Sequence, residues 1–202
     1  MKKFFVVGLL LLSIQANAEG GVSGHDGGHG VVCEVFSQGL KSKYTVQLLD
    51  LFEQASLDQS HSKLKVQSGG ITSIRNLPRV TCKLLAEKQA VAEKLFGHHR
   101  ELFAFNKACS LVKAIKLTDY IYETEDYGYL RASLPKACKL VQIANRMVTP
   151  NGESISIDYR IANYLGSRDL AALLLHEALH EYRGGQTTIE VRKYVGAVFS
   201  EK

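Results

Sequence analysis

Two histidines and a glutamate near the carboxyl end of the chain have the spacing of a zinc-binding motif. The segment LLLHEALHEY, residues 173–182, contains His176, Glu177 and His180. Residues four apart on a helix lie on the same face, so both imidazoles can reach one Zn²⁺, and Glu177 lies one position around the helix. Zinc lowers the pKa of a water molecule that it binds, and a glutamate at this position can take the proton. The motif therefore predicts metal-assisted hydrolysis with Glu177 as the general base.

The residues around the motif are apolar. Leucines occupy 173–175, and the two variable positions inside the motif are Ala178 and Leu179. Such a helix is expected to be buried, and imidazole and carboxylate groups in a buried environment are costly unless they are paired or ligated. This context favours a functional or structural role for the polar residues over chance placement.

The motif resembles the active-site helix of the zincin metallopeptidases, which carries His-Glu-x-x-His with uncharged residues at the variable positions. The resemblance implies a zinc-dependent hydrolase that acts on peptide bonds, with a peptide or protein as substrate. The sequence departs from the metzincin extension, because Arg183 stands where that pattern has Gly and no third His follows. More loosely, residues 130–200 are similar to a group of exported Gram-negative proteins that combine a Pro-x-x-Cys hairpin, a helix of this kind and a short terminal helix.

Catalytic zinc sites normally use three protein ligands, and the third is less well marked here. Glu190 is the leading candidate, because it could fold back from the next helix in the manner of a gluzincin. The same residue also fits a capping box that begins at Thr187. In that arrangement its carboxylate would accept a hydrogen bond from a backbone N–H group at the start of its own helix. His98 and His99 are alternatives as exposed residues after a helix end.

Further residues could contribute more weakly. Two histidines of the Gly-rich segment 19–30, His25 and His29, could bind a metal loosely, although a flexible leader without a preorganised site is the simpler interpretation. Four residues near the motif could stabilise an oxyanion, and the sequence does not select among them: Tyr182, Arg183, Arg192 and Tyr194.

The amino terminus has the pattern of a secretory signal peptide. Basic Lys2 and Lys3 precede an apolar run, and Ala16-Asn17-Ala18 provides small residues for cleavage. We expect residues 1–18 to be removed and the protein to be periplasmic or secreted, with a flexible Gly/His-rich tail at 19–30 and one domain at 31–202.

Removal of the two lysines lowers the formal net charge from +5 to +3, which is too mild to indicate nucleic-acid binding. The apolar run is too short to span a bilayer, and no later segment is longer, so no transmembrane segment is expected in the mature chain.

Export changes the interpretation of the four cysteines. Cys33, Cys82, Cys109 and Cys138 have no CxxC spacing, and an even number in an oxidising compartment predicts two disulfides, for which three pairings exist. Cys82 and Cys109 lie in two predicted helices that flank a turn at Gly97. A helical hairpin would bring these two together, which leaves Cys33 to pair with Cys138.

The pattern of elements indicates an α+β fold, with a small mixed or antiparallel sheet packed against helices and the motif helix near the carboxyl end. Strands are predicted at 31–36, 139–148 and 154–158, whereas 44–54 is ambiguous between strand and helix. Helices are predicted from Pro78 to Gly97, over 101–115, from Ser167 to Gly184 and from Thr187 to Ser200. In the first of these, four residues form the expected inner face: Val80, Leu84, Val91 and Leu95.

Three interpretations follow from these observations. In the first, the protein is an exported zincin-type hydrolase that uses Zn²⁺. In the second, it is a non-catalytic exported domain in which His176, Glu177 and His180 form a structural cluster or a vestigial site. In the third, the protein binds metal without hydrolysis. A third protein ligand at a shared metal position would favour the enzyme, because that is the normal composition of catalytic zinc sites.

Overall fold

The computed structural model describes residues 23–25, 28–35, 43–58, 77–97, 101–121, 130–150, 152–182 and 188–200. Strands and helices are mixed without regular alternation, which confirms the α+β class. The predicted signal peptide lies outside the described residues. The elements are β1 Ser23–His25, β2 His29–Val35, β3 Lys43–Leu48, α1 Leu49–Leu57, α2 Leu77–Phe96, α3 Leu102–Leu111, β4 Ile115–Thr118, β5 Cys138–Gln142, β6 Ala144–Thr149, β7 Gly152–Asp158, α4 Tyr159–Ala162, α5 Ser167–Tyr182 and α6 Thr188–Ser200.

The described strands form two small sheets. The four-stranded sheet has the order β1-β6-β7-β4, in which β7 and β4 are parallel and the other neighbours are antiparallel. The three-stranded sheet has the order β3-β2-β5 and is antiparallel throughout. Strands β5 and β6 follow each other in the chain but belong to different sheets, so the single residue between them, Ile143, is where the chain passes from one sheet to the other.

Helix α5 lies at the centre of the helical layer. It packs against α2, α3 and α6, and α1 packs on α6 next to it. Leucines 173, 174 and 175 of α5 have no exposed surface, and they belong to a core that also takes in Leu85 of α2 and Phe105 of α3. The burial of this helix was expected from its apolar sequence, and the structure agrees.

Two sequence-based expectations about local structure are wrong. The buried face of α2 is formed by Thr81, Leu85 and Ala92, while Val80 and Leu95 of the expected face are largely exposed. Residues 139–148 are two strands, because the chain changes sheets at Ile143. The ambiguous segment 44–54 contains both structures, with β3 passing into α1 at Leu49.

The Gly-rich segment is not wholly a flexible tail. Ser23–His25 forms β1, and Gly28 and His29 are buried where the chain enters β2. The carbonyl oxygen of Gly28 accepts hydrogen bonds from the backbone N–H groups of Ile143 and Ala144, at 2.9 and 3.2 Å. A low content of apolar side chains predicted a mobile segment, but backbone hydrogen bonds hold the residues of it that the structure describes.

Both predicted disulfides are present. Cys33 pairs with Cys138 and links the neighbouring strands β2 and β5, and Cys82 pairs with Cys109 and links α2 to α3. The second pair confirms the helical hairpin that the turn at Gly97 predicted. Disulfides of this kind fit an extracellular or periplasmic location. Within the ranges given above, none of the helices combines the length and apolar character needed to cross a membrane.

The two disulfides are expected to contribute unequally to stability. The Cys33–Cys138 bridge spans 105 residues and the Cys82–Cys109 bridge spans 27. Because a longer closed loop restricts the unfolded chain more, we predict that the double variant C33A/C138A loses about 1 kcal/mol more unfolding free energy than C82A/C109A. Urea denaturation of the two double variants and the wild-type protein measures the difference. Equal losses, or a larger loss for C82A/C109A, would contradict the prediction.

Candidate functional site

The two histidines of the motif face each other on α5. His176 is buried, with 3% of its surface exposed, and His180 lies one turn later at partial exposure. Their Nε2 atoms are 3.1 Å apart and their ring centroids are 4.9 Å apart. The four-residue spacing predicted that both imidazoles would lie on one face of the helix, and the structure places them there.

The other ring nitrogen of His176 contacts a carboxylate. Its Nδ1 lies 2.7 Å from Oδ2 of Asp50, a residue in the first turn of α1 that is 1% exposed. A carboxylate can only accept, so the imidazole nitrogen donates in this bond. The contact joins α1 to α5 across 126 residues of sequence.

The two Nε2 atoms are at hydrogen-bond distance from each other, and their spacing is also close to that of two zinc ligands. Two imidazole ligands at about 2.05 Å from a tetrahedral zinc are separated by roughly 3.3 Å, which is close to the separation of the Nε2 atoms of His176 and His180. A histidine ligand commonly donates its second N–H to a carboxylate, as His176 does to Asp50. The donor set is therefore of the right chemistry for Zn²⁺ and includes an outer partner for one ligand.

Glu177 lies on a neighbouring face of α5 and has no exposed surface. Gly28 is packed against this face. A Cβ atom at Gly28 would stand 2.0 Å from Cδ1 of Leu173 and 3.7 Å from Oε1 of Glu177. Only glycine can approach Leu173 this closely, so the entry to β2 covers the carboxylate of Glu177 at this point.

A network of charged groups supports the same part of α5. Arg146 of β6 donates to the backbone carbonyl oxygen of Glu177 at 2.8 Å and to Glu181 at 2.6 Å, and it also pairs with Glu153 of β7. Lys107 of α3 contacts Glu153 at 2.7 Å and Glu181 at 3.1 Å. The network ties α5, just after the motif glutamate, to the four-stranded sheet and to α3.

The charges of this network stabilise one another. Burial alone would raise the pKa of Glu181, but hydrogen bonds from Lys107 and Arg146 outweigh it and lower that pKa below its usual value. Burial alone would lower the pKa of Lys107, and its hydrogen bonds to Glu153 and Glu181 reverse the direction. Both shifts favour the charged forms of Glu181 and Lys107.

A second buried carboxylate lies one turn after Asp50 on α1. Glu53 has no exposed surface, and Arg192 of α6 lies 3.3 Å from its Oε1. The backbone N–H of Arg131 donates to the same oxygen at 2.6 Å. Burial is the main cause of a raised pKa at Glu53, against the lowering effects of the two arginines, and the charge of Asp50 adds to the increase.

Glu190, the expected third ligand, does not join the histidines. It lies in the first turn of α6 and is exposed to solvent. Among the residues that the structure describes, which include Glu190, His176 and His180, no group of three or more metal-binding side chains is placed to hold one ion. The relative position of the two histidines follows from their spacing on one helix. The position of Glu190 depends instead on the path of the α5–α6 connection, and residues 183–187 of that connection lie outside the described ranges.

The other predicted residues are spread over different surroundings. His98, His99 and Arg183 lie outside the described residues, as do the side chains of β1, including that of His25. Two of the remaining oxyanion candidates have partners of their own. Arg192 is paired with Glu53, and Tyr194 is buried and stacks on Phe96 with ring centroids 4.8 Å apart.

Asp50 was not predicted from the sequence. It lies within the run QLLDLF, at the change from β3 to α1, in a segment that was ambiguous between strand and helix. An aspartate among apolar residues is a signal in itself, because a buried carboxylate needs a partner. The signal marks Asp50 as a residue of interest, although only the fold identifies the partner as His176.

No protein-family model matches the chain, and no curated protein or solved structure matches it.

Asp169, in the first turn of α5, gives this region a testable pH dependence. Its carboxylate accepts a hydrogen bond from the backbone N–H of Leu48 at 2.9 Å, just before α1, and burial raises its pKa above 3.8. The folded state then binds a proton more tightly than the unfolded chain does. The unfolding free energy therefore decreases as the pH rises from 3.8, the ordinary pKa of an aspartate, through the raised pKa of Asp169.

We predict that Asp169→Asn removes this loss, because the amide oxygen can still accept from Leu48 but carries no charge. Above about pH 4, the unfolding free energy of the variant should increase relative to that of the wild-type protein. The increase should total about 1.4 kcal/mol for each unit by which burial raises the pKa of Asp169, and it should level off once the pH exceeds the raised pKa. Urea denaturation across the pH range measures it. A difference that decreases with rising pH would refute the assignment.

Proposed function

We propose that this protein is an exported zinc-dependent hydrolase of the zincin type that acts on peptide bonds. The observation that carries the proposal is the 3.1 Å separation of the Nε2 atoms of His176 and His180. Two imidazole nitrogens this close together on one helix face are a common donor pair for Zn²⁺. The contact of His176 with Asp50 adds the outer carboxylate that such ligands usually have.

Each residue of the motif has a distinct role in this proposal. His176 and His180 hold the metal, and Zn²⁺, when bound, polarises a carbonyl and lowers the pKa of water. Glu177 accepts the proton of the attacking water on a carboxylate oxygen and donates it to the departing amine. Arg146 holds the backbone of Glu177 through its carbonyl oxygen, which fixes the position of this part of the helix.

Export is part of the proposal. The basic, apolar and small-residue regions of residues 1–18 have the order of a signal peptide, and two disulfides are typical of proteins from oxidising compartments. The substrate would then be a peptide or protein in the periplasm or outside the cell.

A non-catalytic exported domain is the second candidate, and one observation favours it. Glu177 has no exposed surface, and Gly28 and Leu173 are packed beside its carboxylate. A general base must reach the water and the substrate, so hydrolysis requires this packing to open. In the second candidate the packing stays closed, and the histidine pair is a structural cluster or binds metal without turnover.

The Glu177→Gln variant separates the two candidates. If the protein is a hydrolase, the variant should keep its fold and bind zinc as the wild-type protein does, because Glu177 is not a ligand. Its turnover of a pool of internally quenched peptides of mixed sequence should fall roughly 10²- to 10⁴-fold, because the proton acceptor is lost. Equilibrium dialysis against zinc and fluorescence release from the peptides provide the two readings.

Glu87→Gln is the matched control. Glu87 is an exposed glutamate on α2 that pairs with Lys83 at 3.8 Å, away from the motif, so its substitution should alter neither reading. Wild-type protein that binds one zinc ion but cleaves none of the peptides would support metal binding without catalysis. Wild-type protein that binds no zinc would leave only the structural cluster.

A further inference from the structure

The contact between Asp50 and His176 joins two groups that are almost completely buried. Asp50 is 1% exposed and His176 is 3% exposed, and Oδ2 of the first lies 2.7 Å from Nδ1 of the second. Water screens a short bond between buried groups only slightly, so the bond holds the two side chains strongly in its preferred geometry.

The backbone that carries Asp50 is held on two sides. On one side, the N–H of Leu48 donates to Asp169 of α5 at 2.9 Å. On the other, Gly196 of α6 lies so close that a Cβ atom there would stand 2.9 Å from the carbonyl oxygen of Asp50. Two neighbouring helices thus fix the start of α1, and the carboxylate of Asp50 is presented to His176 from a rigid base.

The carboxylate determines which nitrogen of His176 carries the proton. A carboxylate has no hydrogen to donate, so the bond requires the proton on Nδ1. In a neutral imidazole the other nitrogen, Nε2, then keeps its lone pair. That nitrogen is the one that faces Nε2 of His180 at 3.1 Å.

We infer that Asp50 is a positioning residue for the proposed metal site: it fixes the ring orientation of His176 and its Nδ1–H tautomer, so that the lone pair of Nε2 points toward His180. The inference rests on the proposed function for its role in metal binding. The tautomer itself can be measured in protein without metal, which keeps the two claims separable. Asp50 acts through His176 and is not a ligand.

The test compares Asp50→Asn with Asp169→Asn. Both aspartates are buried carboxylates at the junction of α1 and α5, but only Asp50 contacts a histidine. Asparagine can present either an oxygen or an NH₂ group to Nδ1, so Asp50→Asn removes the requirement for a proton there. Asp169→Asn removes a buried carboxyl group, keeps an oxygen that can accept from Leu48 and leaves the His176 bond in place.

The first measurement is the ¹⁵N NMR spectrum of the imidazole nitrogens in metal-free protein at pH 7.5. The wild-type protein and Asp169→Asn should both show His176 as the Nδ1–H tautomer, and Asp50→Asn should show a mixture or the Nε2–H form. The second measurement is zinc affinity by equilibrium dialysis. Asp50→Asn should weaken it about 10- to 100-fold, and Asp169→Asn should leave it within about threefold of the wild-type value.

The outcomes distinguish the inference from the proposed function. An Nε2–H tautomer or a doubly protonated His176 in the wild-type protein would overturn the inference, even if Asp50→Asn failed to fold. Unchanged tautomer and zinc affinity in Asp50→Asn would also overturn it and leave the proposed function standing. Wild-type protein with the Nδ1–H tautomer but no zinc uptake would refute the proposed function, while the control of the His176 tautomer by Asp50 would stand.

Discussion

Helix α5 is buried along eleven consecutive residues, from Asp169 to Leu179, and three of these carry ionisable side chains. Burial of such groups is unfavourable unless other elements supply partners. Residues at the start of α1 supply partners for two of these side chains. The backbone N–H of Leu48 donates to Asp169, and the carboxylate of Asp50 contacts His176. The placement of α1 is therefore a consequence of the polar residues in α5 as much as of apolar packing.

The same short helix forms a second buried polar contact. Glu53 is one turn after Asp50, and it lies between the backbone N–H of Arg131 and the guanidinium group of Arg192 on α6. A buried ion pair is costly to form and more costly to break, so these contacts specify the arrangement more than they stabilise it. They hold α1 against α6 and against the segment that contains Arg131.

Local patterns in the sequence predicted a substantial part of this structure. The apolar context of the motif predicted a buried helix, and the turn at Gly97 predicted the Cys82–Cys109 pair, because both depend on residues close together in the chain. The apolar periodicity placed α2 correctly but assigned Val80, and not Thr81, to its buried face. The face of α2 that becomes buried is determined by its packing against α3 and α5, which the local pattern does not contain.

Features that depend on distant residues were missed. Asp50 and His176 are 126 residues apart, so their contact has no local pattern. The division of residues 139–148 into β5 and β6 depends on Gly28, whose carbonyl oxygen accepts from the two residues at the crossing. The candidate site was thus predicted as far as its pair of histidines, and the carboxylate that orients one of them required the fold.

The central claim is that His176 and His180 form a metal site, and anomalous diffraction at the zinc absorption edge tests it most directly. Crystals of the zinc-loaded wild-type protein should show one peak between the two rings, about 2.0 to 2.1 Å from each Nε2 atom, with the Asp50 contact retained. The same map would identify every other atom bound to the zinc. No peak at that position, with the two Nε2 atoms still in direct contact, would contradict the account.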